Sequence, residues 1–184
     1  MRSTGEEIMP GEFIPLMETV GDITRLDFLI YDKVCRYMAE RKRRGLSSFS
    51  VSVNISREEF KNAGFVDDFH RLVTGYGVDP KDLGLEITES IFVENLMEIS
   101  DAVNRFREYG YPILLDDFGS GFSSLNVLKD ISFDIIKLDR SFFYGKNNNR
   151  QGRYIVEAIL KLAAQLHIRT VAEGIDSMRQ VQYL

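Results

Sequence analysis

Apolar residues recur along the chain with two alternating periods. Between Ile23 and Arg44, Leu26, Leu29, Ile30, Val34, Tyr37 and Met38 fall at helical spacing, which predicts an amphipathic helix. The stretch SFSVSVNIS then alternates every second residue up to Asn54, as a strand does. Helical spacing returns from Arg57 to about Tyr76, through Phe60, Phe69, Leu72 and Val73. The turn cluster VDPKDLG follows, then a short strand in LGLEITES and a helix from about Ile91 to Tyr109 that stops at Gly110. YPILLDD reads as a strand, SSLNVLKDI as a short helix with serine at its start, and FDIIKLD as another strand. After the polar loop NNNRQG, Tyr154 to His167 carries Ile155, Ile159, Leu162 and Leu166 on one side. IRTVAEGI is the last strand, and a partial helix runs to Leu184.

This alternation repeats about every thirty residues, the size of a βαβ unit. It predicts a parallel sheet flanked by helices, either open and doubly wound or closed as a barrel. No linker or low-complexity stretch interrupts it, so residues 1 to 184 read as a single domain. A closed eight-stranded α/β barrel typically needs about 250 residues, more than the 184 present.

Composition narrows the function classes. The net charge of −5 argues against a nucleic-acid polymer as partner. The one strongly basic run, Glu40 to Gly45, ends a predicted helix, where cations complement the helix dipole. Cys35 is the only cysteine and lies in an apolar pattern, so it reads as a buried small hydrophobe, with neither a disulfide framework nor a thiolate metal cluster. No segment has the layout of a signal peptide or the length of an apolar membrane span, and the cytoplasm, or the cytoplasmic part of a larger, membrane-bound parent, follows by elimination.

The polar residues fall in a pattern of their own. Asn54 ends the first strand, Glu86 interrupts the second with Glu89 just beyond, and Asp116 and Asp117 end the third. Lys137 and Asp139 lie late in the fourth strand, and Glu173 late in the fifth. In parallel α/β folds these ends share one face. Carboxylates gathered there require neutralisation, and all-oxygen donors suit hard divalent ions, Mg²⁺ or Mn²⁺. Two adjacent aspartates can serve two neighbouring metals. The following loop, with Gly119, Ser120, Gly121, Ser123 and Ser124, permits close approach of a phosphate ligand. Taken singly, each residue has a structural reading: a turn aspartate, a strand-edge glutamate, a Lys137–Asp139 salt bridge. Five strand ends with the same chemistry carry the metal-site reading.

The motifs GEFIPLMETVG, SVNIS, LEITES, LLDDFGSGFSSL, IIKLDRSF and VAEGID resemble, in order and spacing, the EAL-domain family of cyclic di-GMP phosphodiesterases. The resemblance runs from about Ile8 to Leu184. It implies a TIM-like (β/α)8 EAL barrel, incomplete in this chain, and metal-dependent hydrolysis of cyclic di-GMP to linear pGpG in bacterial second-messenger signalling. By position it implies Asn54, Glu86 and Asp116 as ligands of a first metal, Asp117 of a second, and Glu173 as a further acidic ligand. Lys137 matches the lysine that contacts the catalytic water. Glu89 matches the glutamate that steadies the loop through Phe118 and Gly119, a loop that also shapes the family's dimer contact. Gly119, Ser120 and Asp139 stand as substrate-binding positions. The implied partners are cyclic di-GMP, a second copy of the chain, and fused sensory or diguanylate cyclase domains in a parent protein.

The family's Glu-Ala-Leu signature lies upstream of GEFIPL, and its Gln-Gly segment lies beyond Leu184. The chain therefore reads as an EAL barrel without its opening strands and its final one. VEAIL at Val156 to Leu160 is not the signature, because it lies on the helix after the fourth strand. Asp176 replaces the usual second glutamate of the last motif, and Phe122 stands where tyrosine is common. Two functions compete: a phosphodiesterase, and an inactive module that binds cyclic di-GMP or a protein partner. A third, an unrelated Mg²⁺-using barrel such as a lyase, requires the motif match to be coincidence.

Overall fold

The computed structural model describes residues 8–93, 96–119, 124–143 and 150–182. The chain forms two compact units, Met1–Ser48 with Ile55–Val78, and Phe49–Asn54 with Asp79–Leu184.

The first unit contains helices α1 (Pro10–Val20), α2 (Ile23–Arg43) and α3 (Phe65–Gly75) and the 3₁₀ turn Arg57–Lys61. The apolar spacing does not predict α1. It opens on Pro10, whose fixed φ suits a first helical position, carries Pro15 inside, and buries no residue. The stripe that α2 buries is Ile23, Asp27, Tyr31, Cys35 and Met38. Leu29, Ile30 and Tyr37, placed on the core stripe by spacing, are exposed. The true stripe contains an acid, which a search for apolar periodicity passes over. Cys35 is fully buried, as its surroundings in the sequence imply. Around Tyr31 an aromatic cluster packs edge to face, with ring centroids 5.0 Å apart to Phe69 and 5.6 Å to Phe28. The basic run is a paired helix end: Arg43 and Arg44 both contact Glu40, and Lys42 donates to the Gly77 carbonyl at 3.0 Å. The helix expected from Arg57 to Tyr76 is two pieces, the 3₁₀ turn and α3, parted at Asn62 to Gly64.

Two carboxylates are buried in this unit. Glu59 is 1% and Asp27 9% exposed, and Glu59 Oε1 and Asp27 Oδ2 have no hydrogen-bond partner among the described residues. Burial, and then the charge of Asp27, pushes Glu59 up to about 8. Burial raises Asp27 as well, against the opposing effect of Ser56.

The second unit carries the sheet: β1 (Val51–Asn54), β2 (Leu83–Thr88), β3 (Ile113–Phe118), β4 (Ile135–Leu138) and β5 (Arg169–Ala172). All four pairings are parallel, and the spatial order is the chain order. A doubly wound sheet reverses strand order at a switch point; this sheet does not. Right-handed crossovers in unbroken order place α4 (Leu96–Glu108), α5 (Ser124–Asp130) and α6 (Arg150–Gln165) on one face. That is the arrangement of an arc of a βα barrel. The helix expected from Ile91 begins instead as the 3₁₀ turn Glu89–Val93. Helix α6 begins at Arg150, four residues before the expected start, and buries Val156 and Ala163, while Ile155 and Leu166 are exposed. The short α7 (Met178–Val181) closes the described chain with a Ser177–Gln180 capping box.

The two faces of the sheet differ in chemistry. Val53, Leu83, Leu85, Ile87, Ile113, Leu115, Ile136 and Leu138 occupy one face, and all are buried. The period-two alternation puts Ser52, Asn54, Glu86, Asp116, Lys137 and Glu173 on the other. One face is thus a continuous apolar layer, and the opposite face concentrates the polar groups.

The buried acids generate a prediction. In an unfolded chain a glutamate ionises near pH 4.3, whereas folded Glu59 holds its proton to about 8. Between those values the unfolded state is the one that releases the proton, so stability falls as pH rises through that window. Glu59→Gln is expected to flatten the decline. Denaturant midpoints of native and variant chains at pH 5 and pH 8 measure it, and an equal pH slope in both would refute the assignment to Glu59.

Candidate functional site

Lys137 stands at the centre of the polar face. Its Nζ lies 3.0 Å from Glu86 Oε2, 3.0 Å from Asp116 Oδ1 and 2.8 Å from Glu173 Oε1. One ammonium from β4 therefore gathers carboxylates from β2, from β3 and from the end of β5. Burial works against the charge on Lys137, but hydrogen bonds to Glu173, Asp116 and Glu86 outweigh it and hold its pKa above the ordinary lysine value. One ammonium offsets a single one of the three carboxylate charges, so the cluster stays net negative. The alternative pairing of Lys137 with Asp139 is not what forms. A residue that sequence reasoning missed also belongs here: the Ser52 hydroxyl donates a short hydrogen bond to Glu86 Oε1. Ser52 precedes Asn54 by two, so its position on the same face was available as a signal.

Asp116 and Asp117 lie in an irregular part of β3. Leu115 pairs with Ile136 and Phe118 with Leu138, so β3 carries one extra residue there. A β-bulge of this kind re-aims side chains. Asp117 sits in the bulge with φ 53°, and its N–H donates to Asp116 Oδ1 at 3.0 Å. Partial burial, and then the charges of Asp116, Asp139 and Glu173, raise the Asp117 pKa. These acids therefore share one electrostatic environment. Just beyond, Gly119 has φ 88°, a conformation that favours glycine. Its N–H donates to Oε2 of buried Glu89 at 3.2 Å.

The remaining expected site residues divide. Asn54 is exposed and pairs in register with Glu86, at the same end of the sheet. Asp139 caps the 3₁₀ turn Arg140–Phe142 by accepting from the Ser141 N–H at 2.8 Å, and the Ser141 side chain, then that N–H, hold its pKa below the usual carboxylate value. Ser120, Gly121, Phe122 and Ser123 lie outside the described residues.

The donor set, carboxylate oxygens with the Asn54 amide oxygen nearby, is hard-oxygen chemistry. Among the described residues no group of three or more acidic, histidine or cysteine side chains is arranged to hold a metal ion. The three carboxylates instead enclose a cation of their own, the Lys137 ammonium, which marks where positive charge is favoured. On that ground the residues fit a divalent cation.

An arc of a βα barrel with an acid–lysine cluster at the carboxyl ends of its strands defines a class, the barrel proteins whose site lies at that rim. Within it the chain belongs to the EAL domain family, whose profile matches residues 1–184. It is 32% identical over 177 residues to the bifunctional diguanylate cyclase/cyclic di-GMP phosphodiesterase MucR of Pseudomonas aeruginosa, covering 96% of this chain and 26% of that protein. It is 32% identical over 175 residues to the cyclic di-GMP phosphodiesterase NbdA of the same organism, covering 95% of this chain and 22% of that protein. The solved PaMucR phosphodiesterase complex with c-di-GMP matches with TM-score 0.86 at 32% identity, over 96% of this chain and 76% of that one. The chain thus spans about a quarter of these two curated relatives. The fold is that of an EAL barrel, of which five strands are described here.

Removing the central cation tests the cluster. Lys137→Met leaves three carboxylates facing one another, and stability without metal is expected to fall by about 3 kcal/mol, the low end for a broken buried ion pair. Added Mg²⁺ is expected to stabilise this variant more than the native chain. Denaturant titrations with and without the ion measure both effects.

Proposed function

We propose that the chain carries the catalytic site of a metal-dependent phosphodiesterase that hydrolyses one phosphodiester of cyclic di-GMP to give linear pGpG. The observation that supports this most is the convergence of Glu86, Asp116 and Glu173 on Lys137 Nζ at 2.8–3.0 Å. Family membership and the names of the relatives above support the substrate.

On this reading Asn54, Glu86, Asp116, Asp117 and Glu173 hold Mg²⁺ or Mn²⁺. When bound, the metal supplies charge neutralisation at the phosphodiester and activates the nucleophile. Lys137 Nζ reaches Glu86, Asp116 and Glu173 at 2.8–3.0 Å, and on this reading it acts as a hydrogen-bond donor that orients the attacking water and offsets developing charge. Glu89 holds the Gly119 N–H and with it the segment that carries Asp117. Gly119 and Asp139 border the substrate on the β3–β4 side, and ionised Asp139 repels a misplaced phosphate while it caps its turn.

A second reading rests on the same lysine. Lys137 already engages Glu86, Asp116 and Glu173, and on this reading the site binds cyclic di-GMP or a protein partner without hydrolysis. The phosphodiesterase reading also places the chain in the cytoplasm, in homodimers, and within larger signalling proteins. No described helix is long and apolar enough to cross a membrane.

Incubation with cyclic di-GMP and Mg²⁺ or Mn²⁺, followed by chromatography, is expected to show pGpG. Asp116→Asn, which replaces a proposed metal ligand, is expected to lower turnover by more than about a hundredfold, beyond the usual loss on removing a group that only supports a ligand. Tight calorimetric binding of the nucleotide without product would select the binding module instead.

A further inference from the structure

The 3₁₀ turn Arg140–Phe142 lies directly after β4 and touches the strand ends on both sides of it. On the β3 side, the tip of the Phe142 ring abuts Gly119: a Cβ on Gly119 would lie 2.1 Å from Phe142 Cζ and 2.5 Å from Cε2. On the β5 side, a Cβ on Gly174 would lie 2.6 Å from Arg140 Cβ. Both glycines have positive φ, 88° and 65°. Each follows a site acid closely: Gly119 is two residues after Asp117, and Gly174 is the residue after Glu173. The turn itself is held firmly. The Asp139 carboxylate caps it through the Ser141 N–H at 2.8 Å, and backbone bonds run from Phe142 N to Asp139 O and from Phe143 N to Arg140 O. Two further bonds flank the turn, Glu173 N to Leu138 O at the end of β4 at 3.0 Å and Gln180 Nε2 of α7 to Phe143 O just after the turn at 3.5 Å.

We propose that Phe142 is a positioning residue for the site: the Arg140–Phe142 turn is a wedge seated between Gly119 and Gly174, and it sets where Asp117 and Glu173 stand about Lys137. Glu89 holds Gly119 from one side by a hydrogen bond, and Phe142 closes the other side by contact. The bulged segment is thereby fixed from two directions with no side chain of its own at Gly119. The contact has no spare room, so ring length matters in both directions. Shortening the residue releases the segment, and lengthening it at Cζ pushes Gly119 away. Asp139 accordingly contributes through the turn it caps.

The consequence for metal binding rests on the phosphodiesterase reading above; the packing itself does not. Hydrogen–deuterium exchange of the full chain, with segments covering 116–119 and 173–174 resolved, tests the packing. Phe142→Ala and Phe142→Tyr are both expected to speed exchange at 116–119 by about tenfold or more, a local loss of protection, while β2 and α4 keep native rates. In both variants Mn²⁺ affinity, read by calorimetry, is expected to drop about tenfold or more, within the range for lost support of a ligand. Gly119→Ala adds backbone strain at φ 88° as well as the clash, so the diagnostic step is Phe142→Leu in the Gly119→Ala background, which is expected to reverse the faster exchange in part because the shorter side chain accepts the added methyl. That pair carries the test where Phe142→Ala fails to fold. Native exchange at 116–119 in Phe142→Tyr and Gly119→Ala would overturn the proposal. Native chain that gives no pGpG, with the exchange differences present, would count against the phosphodiesterase reading and leave the wedge standing.

Discussion

The contact between the Lys137 ammonium and the carboxylates of Glu86, Asp116 and Glu173 is the constraint on which the site depends. Three acids within reach of one another repel, and partial burial magnifies that repulsion. A single ammonium of four methylenes' reach, rising from β4, lessens the repulsion and ties three strands to one point. The surrounding geometry follows from this requirement. Parallel strands in chain order put all their carboxyl ends at one rim, so residues far apart in sequence meet without any of them moving far from its strand. The cluster costs desolvation and returns it as ion-pair and hydrogen-bond energy only while all partners are present.

The apolar face of the sheet makes that cluster affordable in a structural sense, because it carries the packing and leaves the opposite face free for chemistry. Leu83, Leu85, Ile87, Ile113, Leu115 and Ile136 are each fully buried, and none takes part in the site. At two places the regular sheet gives way, and both are beside the acids. The bulge in β3 removes strict alternation at Asp117, and the glycines after Asp117 and Glu173 admit the Arg140–Phe142 turn between them. Irregular backbone is concentrated where the side chains must aim inward.

Elsewhere in the chain, the buried pair of Asp27 and Glu59 shows the opposite solution to the same problem. There burial is the largest cause that raises both pKa values, which favours the protonated acid. Carboxylates near one another are thus tolerated in two ways in this protein, by a shared cation where function needs charge and by retained protons where it does not.

The strands and most helices were legible because their signal is local: period two in Val51 to Asn54, an apolar run ending in acids at Asp116, helical spacing after Ile23. The rim residues were legible as well, since polar positions at the ends of apolar strands can be counted without coordinates. Helix faces were not. Asp27 belongs to the buried stripe of α2, and Ile155 does not belong to that of α6; which side of an amphipathic helix meets the core depends on partners remote in sequence. Sequence by itself therefore determined the alternation of elements, the family, and the strand-end positions of Glu86, Asp116 and Glu173, all of which arise from residue identity and short-range order. Only the tertiary structure decided that Lys137 is the cation among those acids, that Asp139 caps a turn, and that Phe142 rests on Gly119. Each of these is a choice among several partners within reach, and distance in space makes that choice.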